Sequence, residues 1–542
     1  MSHNKHLLFL TASLMLPTLS LVGCATPDDT ADCASGKCDI PDSQVPDSPC
    51  DGIITDQSGA RHAKVAGRNN DALSKLVFQT GNDCPASFQA IMAKLRETDK
   101  DGCTADERAG LATRFVSETA QAAGKPTNYR VVTTRTCGGR STDSILISGF
   151  GIRAGATSMP AGVELISFDD TAGVYNFYDS DGSGLNFFGS SKDLLKGPGS
   201  GETRRCAKCH TGGGLVMKEL DTPWMNWEGH IDMPGAQPIV DAIKDLGTKT
   251  SGIEFEGLVK AGNTKWNKTR LETLKAGSTA VADLLKPLFC TVEINLANGS
   301  NFASPVIGGT GGDQLSSIPF KSMLDPQIKG FGSIPITFAD YDTLIKANGQ
   351  TLSSVPGAID SIIDYAFVER SHADKDFVNQ LKAAGIIDDD FIKDVLMVDF
   401  TRPIFSDDRC DLLEFAPTLS GADITADKIR AGFIKNLGSP AAGTPAAVLL
   451  TNLNTASDTA MHNARVDAFI AACTALGSKP FLTNALTITS LNRTKARNMD
   501  VTEGGAGFPE DNLNVNPQAR LSPLDCKLVN TFVAPNAPQG LR

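Results

Sequence analysis

The residues that constrain this protein most stand near its start. Leu7 to Val22 form an uncharged, largely apolar run of 16 residues, interrupted at Pro17 and preceded by Lys5. A membrane-spanning helix needs about 20 apolar residues, so the run is too short to span. A short positive region followed by a short apolar one is the pattern of a secretory signal. Export then sets the chemistry of everything downstream, because disulfides form and persist in oxidising compartments. The 13 cysteines of the protein suit that setting. No other segment reaches 18 consecutive apolar residues, so the body is expected to be soluble.

Composition narrows the partners. The formal net charge is -12. Nucleic acid is excluded as a partner, since its recognition needs a basic footprint. With 542 residues, 41% of them hydrophobic, the polypeptide has enough apolar material for a sizeable core. Residues 24–60 are rich in Asp, Pro, Ser and Ala, with almost no apolar periodicity. Such a segment buries too little apolar surface to offset its ordering entropy and is expected to be a disordered linker.

From residue 61 the pattern changes. Ala72 to Phe78, Ala86 to Glu97 and Asp106 to Ala123 carry apolar residues three or four apart, the helical spacing. Tyr129 to Thr136, Ser144 to Ser148, Val163 to Phe168, Val174 to Asp179 and Leu185 to Phe188 are β-branched or aromatic, with turn residues between them. They predict an antiparallel meander of about five strands. Asp179, Asp181 and Ser183 follow the spacing of a calcium loop, but Ser190 stands where the bidentate Glu is needed, so a polar hairpin turn is the better reading. After Pro234 the spacing is mainly helical, at Pro238–Leu246, Lys265–Lys275, Ala280–Phe289, Ala358–Val368, Asp374–Ala384, Asp390–Leu396, Ala426–Leu437, Ala460–Leu476 and Asn484–Asn492. The expected organisation is α+β: a signal segment over 1–23, a linker over 24–60, an α+β unit over 61–235, and a mainly α-helical region over 236–542 packed on it.

One pentapeptide carries chemistry. Cys206-Ala-Lys-Cys209-His210 places two thiols two residues apart with an imidazole directly after. The two thiols can add to the two vinyl groups on one edge of a haem, and the imidazole can then ligate the iron from beneath. Two other uses remain open. A structural zinc site would take Cys206, Cys209 and His210 with His230 as fourth ligand, although such sites usually have a second Cys-x-x-Cys, absent here. A thioredoxin-like redox pair would make His210 incidental, and the preceding segment is polar rather than a buried strand.

Cys-x-x-Cys-His resembles the attachment motif of c-type cytochromes, and the ending Leu21-Val22-Gly23-Cys24 resembles the lipobox of bacterial lipoproteins. The second resemblance implies cleavage before Cys24, lipidation of its thiol and, with Ala25 following, an outer-membrane location. The membrane would be reached through that lipid alone. The first implies one haem c per polypeptide, held by Cys206 and Cys209 with His210 as proximal iron ligand. The remaining ten cysteines are then an even set that fits five disulfides, with Cys33–Cys38 the closest local pairing. The stretch from Phe187 through Cys-x-x-Cys-His-Thr-Gly-Gly-Gly to Trp227 looks like large single-haem lipoproteins. A sheet leading into the motif is similar in topology to the cytochrome P460 and cytochrome c′-β group.

The sixth iron ligand would decide the role. A strong Met or His closes the iron and favours electron transfer, whereas an open face permits chemistry. Met217, Met225, His230 and Met233 lie downstream, and His230 and Met233 are the favoured candidates. Trp224 and Trp227, three apart, would share a helix face and pack on the porphyrin, or would simply be core. Arg205 is a candidate partner for a haem propionate, or a solvated charge. Gly212-Gly213-Gly214 lets backbone approach closely. The isolated His62, His372 and His462 read as surface or core residues. Electron transfer to a redox partner protein is the leading expectation. A haem enzyme with an open distal site, acting on peroxide or a small nitrogen compound, is the second. A non-haem surface lipoprotein with zinc or a disulfide at Cys206 and Cys209 is the third.

Overall fold

The β-branched and aromatic runs of residues 112–190 assemble into one sheet, and the helical spacings beyond residue 250 into a bundle beside it. The structure, a computed structural model, describes residues 54–55, 70–71, 73–75, 84–85, 87–97, 112–117, 128–134, 145–153, 163–180, 185–195, 206, 210, 212–215, 248–249, 252–277, 280–290, 294–295, 317–319, 333–347, 369–370, 372–402, 406–455, 459–489 and 519–535.

The strands are β1 (Ile54–Thr55), β2 (Ala112–Ser117), β3 (Asn128–Thr134), β4 (Ile145–Arg153), β5 (Val163–Asp169), β6 (Val174–Ser180), β7 (Leu185–Ser190) and β8 (Thr248–Lys249). They form an eight-stranded sheet in the order β1-β7-β6-β5-β4-β3-β2-β8. From β2 to β7 each strand pairs antiparallel with the next, while β1 and β8 add parallel at the two edges. The expected meander is therefore present but larger. The two-residue edge strands are too short for any alternating pattern to reveal.

Two expectations are overturned. Ile54–Thr55, within the segment expected to be a disordered linker, pair with β7 as strand β1. The helix read over Asp106 to Ala123 is, at Ala112–Ser117, strand β2, paired residue for residue with β3 from Ala112↔Thr134 to Ser117↔Tyr129. Thr113, Phe115 and Val116 favour strand, and a ready pairing partner outweighs a helical spacing of apolar residues. Of the other early helices, Ala86 to Glu97 is found as α1 (Phe88–Glu97). Only Leu73–Lys75 of the Ala72–Phe78 helix is described, and it has helical backbone.

The two faces of the sheet have different covers. Leu165, Ser167, Asn176 and Tyr178 share one face with residues 70–75. There the buried carboxylate of Asp71 accepts from Asn176 Nδ2 at 2.9 Å, Tyr178 OH at 2.8 Å and Ser74 Oγ at 3.0 Å. Loss of hydration pushes the Asp71 pKa up, and these donors offset only part of that rise. The other face carries Phe168, Tyr175 and Phe177, with the rings of Phe168 and Tyr175 4.8 Å apart. β7 bulges opposite Phe177 and Tyr178, with Gly189 at φ +105°. The strand then runs straight into the short α2 (Ser191–Leu194). Asp193 ties the junction by accepting from Ser190 N at 2.7 Å and Ser190 Oγ at 2.8 Å.

The long helix α3 (Gly252–Lys275) serves both halves of the molecule. Its sequence spacing predicts only Lys265–Lys275, because Gly252, Gly257 and Gly262 lower helix propensity in the first half. Tertiary contact restores it. Gly262, Asn263 and Trp266 are buried toward the sheet, and Leu271 and Leu274 enter the core of the bundle.

The bundle continues through α4 (Ala280–Phe289), α5 (Phe338–Ala347), α6 (His372–Ala383), α7 (Asp389–Leu396), α8 (Asp407–Cys410), α9 (Ala426–Leu437), α10 (Pro445–Asn454), α11 (Thr459–Leu476) and α12 (Ser478–Thr489). The last begins six residues before the expected Asn484, directly after Gly477 at φ +93°, with Pro480 in its first turn where no N–H is required. Two-stranded ribbons join β9 (Ile294–Asn295) to β12 (Glu369–Arg370), β10 (Ser317–Pro319) to β11 (Ser333–Pro335), and β13 (Arg520–Leu521) to β14 (Leu528–Val529). The expected helices at Pro238–Leu246 and Ala358–Val368 lie outside the described residues.

Phe289, Phe391 and Phe433, from α4, α7 and α9, meet at ring distances of 5.4 to 6.3 Å. Disulfides Cys290–Cys410 and Cys473–Cys526 fasten this core, whereas Cys33 and Cys38 lie outside the described residues. Asp394 on α7 accepts from Arg430 at 2.8 Å and from His462 Nε2 at 3.1 Å, so His462 is a core histidine. Among the described residues no helix is long and apolar enough to cross a membrane.

Candidate functional site: the His210 loop

The loop after Cys206 is built backbone first. His210 N–H donates to Cys206 O at 2.8 Å, closing one helical turn, and Gly213 N–H donates to His210 O at 2.8 Å. The first bond ties the histidine back to Cys206. The second folds it back over the imidazole. Gly213 has φ +72°, a region that side chains strain to enter. A Cβ there would stand 2.5 Å from Ser191 O and 3.1 Å from Trp266 Cζ2. A Cβ on Gly214 would stand 2.6 Å from Asn263 Oδ1. Two of the three glycines are thus required because the loop is wedged between α2 and α3.

His210 is buried, 7% exposed, with its ring 5.2 Å from that of Phe177 on β6. Its Nδ1 lies 2.8 Å from Gly214 O. A carbonyl oxygen has no proton to give, so Nδ1 carries the hydrogen and donates it. The lone pair of the neutral ring is therefore on Nε2. Metal-ligating histidines are commonly oriented by a bond of this kind, from one ring nitrogen to a carbonyl.

The loop is clamped by α3. Trp266 Nε1 donates to Gly212 O at 2.7 Å, and Asn263 Oδ1 accepts from Leu215 N at 3.1 Å. α6 in turn holds α3, through Asn267 Nδ2 on Ala373 O at 2.8 Å and Gln380 Nε2 on Thr264 O at 3.1 Å. The helical region therefore positions the motif from about 50 residues away in sequence. Asn263 Nδ2 is buried with no hydrogen-bond partner among the described residues.

A covalently held haem asks for a ligating imidazole of fixed tautomer beside thiols brought close by a single turn. The Nδ1 bond of His210, the bond tying it to Cys206 and the glycine cradle agree with that donor set, while Cys209 lies outside the described residues.

Of the residues singled out in the sequence, His210 and the half-buried Cys206 are placed in this loop. Cys209, Arg205, Trp224, Trp227, His230, Met233 and Cys24 lie outside the described residues. Sequence reasoning missed Trp266 and Asn263. Their only signal was a tryptophan four residues after Gly262, at the start of the helix read from Lys265, with Asn263 just outside it. No protein-family model, no curated protein and no solved structure matches this sequence.

Proposed function

We propose that the protein is an exported, lipid-anchored cytochrome of the c type that passes electrons to a redox partner protein. Cys206 and Cys209 hold one haem through thioether bonds, and His210 ligates its iron from the proximal side. Bound there, the haem supplies a one-electron couple. The polypeptide supplies the ligand, its orientation and the exclusion of water around it.

The observation that carries the reading is the hydrogen bond from His210 Nδ1 to Gly214 O, which leaves Nε2 as the basic nitrogen. A ligating histidine is oriented by a bond of this kind, because tautomer and ring orientation set the metal bond. The lipid on Cys24 and the outer-membrane location belong to the same proposal and rest on Leu21-Val22-Gly23-Cys24.

The test is a pyridine haemochrome assay on the full-length protein matured in a periplasm able to attach haem, together with oxidised and reduced absorption spectra. One haem per polypeptide, resistant to acid–acetone extraction, is expected, with a low-spin six-coordinate spectrum. Cys206→Ala with Cys209→Ala should abolish covalent attachment. A colourless wild-type protein refutes the proposal, and a high-spin spectrum removes simple electron transfer. Cys24→Ser should abolish lipid labelling; unchanged labelling would refute the anchor.

A further inference from the structure

We propose that Asn263 tunes His210 through the single peptide group that joins Gly214 to Leu215. The carbonyl of this peptide accepts from His210 Nδ1 at 2.8 Å, and its N–H donates to Asn263 Oδ1 at 3.1 Å. The three groups form one relay: the imidazole N–H donates to the peptide oxygen, and the peptide N–H donates to the amide oxygen of Asn263. Hydrogen bonds in series polarise one another. An acceptor on the N–H end shifts electron density toward the Gly214 oxygen and makes it a better acceptor. The imidazole then gains anionic character, and Nε2 becomes a stronger donor to a metal.

The surroundings favour this use of Asn263. The residue is fully buried, and Trp266 three residues further along α3 is 1% exposed. Burial raises the strength of each bond in the relay and forbids water from replacing Asn263 Oδ1. Trp266 holds Gly212, two residues before the relaying carbonyl, so the peptide is fixed from both sides. α6 holds α3 in place behind it. Asn263 reaches the imidazole through the intervening peptide, so it acts as a positioning residue.

The proposal rests on His210 being an iron ligand, and its test separates the two claims. Asn263→Leu removes the acceptor at similar volume. In the haem-loaded full-length protein, the ferrous-to-ferric ratio at fixed poise should rise about tenfold, the scale at which partners behind metal ligands act. For one electron that is about 59 mV upward in midpoint potential. Asn263→Asp restores an acceptor and should return the potential to the wild-type value or below it. Denaturation midpoints of both variants identify any that fail to fold.

The second readout needs no haem. In the secreted protein with Cys206→Ser and Cys209→Ser, histidine-selective nitrogen-correlated NMR spectra report the His210 Nδ1–H. Asn263→Leu should move its proton signal upfield and speed its exchange, and Asn263→Asp should reverse both. An unmoved Nδ1 signal overturns the relay whatever the haem content. A moved signal with an unmoved potential overturns the tuning. A moved signal in a protein that never takes up haem overturns the iron reading and leaves the relay standing.

Discussion

Trp266 Nε1 lies 2.7 Å from the carbonyl oxygen of Gly212, joining residues 54 apart in sequence. The indole is 1% exposed, and its ring also fills the space beside Gly213. One residue thus satisfies a buried carbonyl and walls the His210 loop. Trp266→Phe keeps most of the wall and removes the donor. An unsatisfied buried carbonyl costs about 1–3 kcal/mol, so urea unfolding should show a loss of that size. A loss under about 0.5 kcal/mol would mean that Gly212 finds another donor.

Gly213→Ala places a methyl group 2.5 Å from Ser191 O at φ +72°. Left-handed backbone costs a non-glycine residue about 1–2 kcal/mol before any collision is counted. The loop must then leave α2, and the His210-to-Gly214 bond goes with it. Covalent haem per polypeptide should fall several-fold, while the near-ultraviolet signal of the helical bundle stays close to wild type. Full haem loading in this variant would show that the cradle is dispensable.

Asp71 sets a pH dependence of stability on the far face of the sheet. Burial raises its folded pKa above the unfolded value of about 3.9. Between those two values the folded protein keeps a proton that the unfolded one releases. Stability is therefore full below the unfolded pKa and declines as pH rises through the folded one. Asp71→Asn should flatten that slope, measured as the urea midpoint across roughly pH 4 to 8. An unchanged slope would assign the pH dependence to another group.

Arg520 reaches back 121 residues to Asp399 at 3.0 Å and also holds Asp408 at 2.6 Å, with the Arg520 and Asp399 side chains each 4% exposed. Breaking a buried pair strands a charge and costs about 3–5 kcal/mol. Arg520→Leu should lose about that much, and Asp399→Asn with Arg520→Leu together should lose less than the sum. Additive losses would show that the two residues act independently.

The Cys473–Cys526 disulfide fastens the same C-terminal segment to α11 across a sequence separation of 53. Closing a loop of that length removes about 4 kcal/mol of unfolded-state entropy. Cys473→Ser with Cys526→Ser should lower the unfolding midpoint accordingly, measured without reductant. A midpoint within error of wild type would show that the Arg520 contacts alone secure the segment.

Local chemistry alone made much of this molecule legible. Five strands announced themselves through β-branched and aromatic runs, and Ala280–Phe289 and Ala426–Leu437 are the helices their spacings predict, to the residue. Cys206 and His210 could be named together because attachment chemistry needs residues close in sequence. Asp106–Ala123 misled because an isolated spacing of apolar residues cannot say which partner strand will be at hand. The first half of α3 stayed hidden because its glycines oppose a helix that only the sheet and α6 stabilise.

Sequence by itself determined most of the strands and helices and the close spacing of two cysteines and a histidine at residues 206–210, since each depends on residues near one another in the polypeptide. The tertiary structure alone decided that Asn263 and Trp266 would hold the His210 loop and that His210 would donate through Nδ1. Those outcomes require a helix about 50 residues downstream to be seated against the sheet, and no local propensity encodes where a distant helix comes to rest.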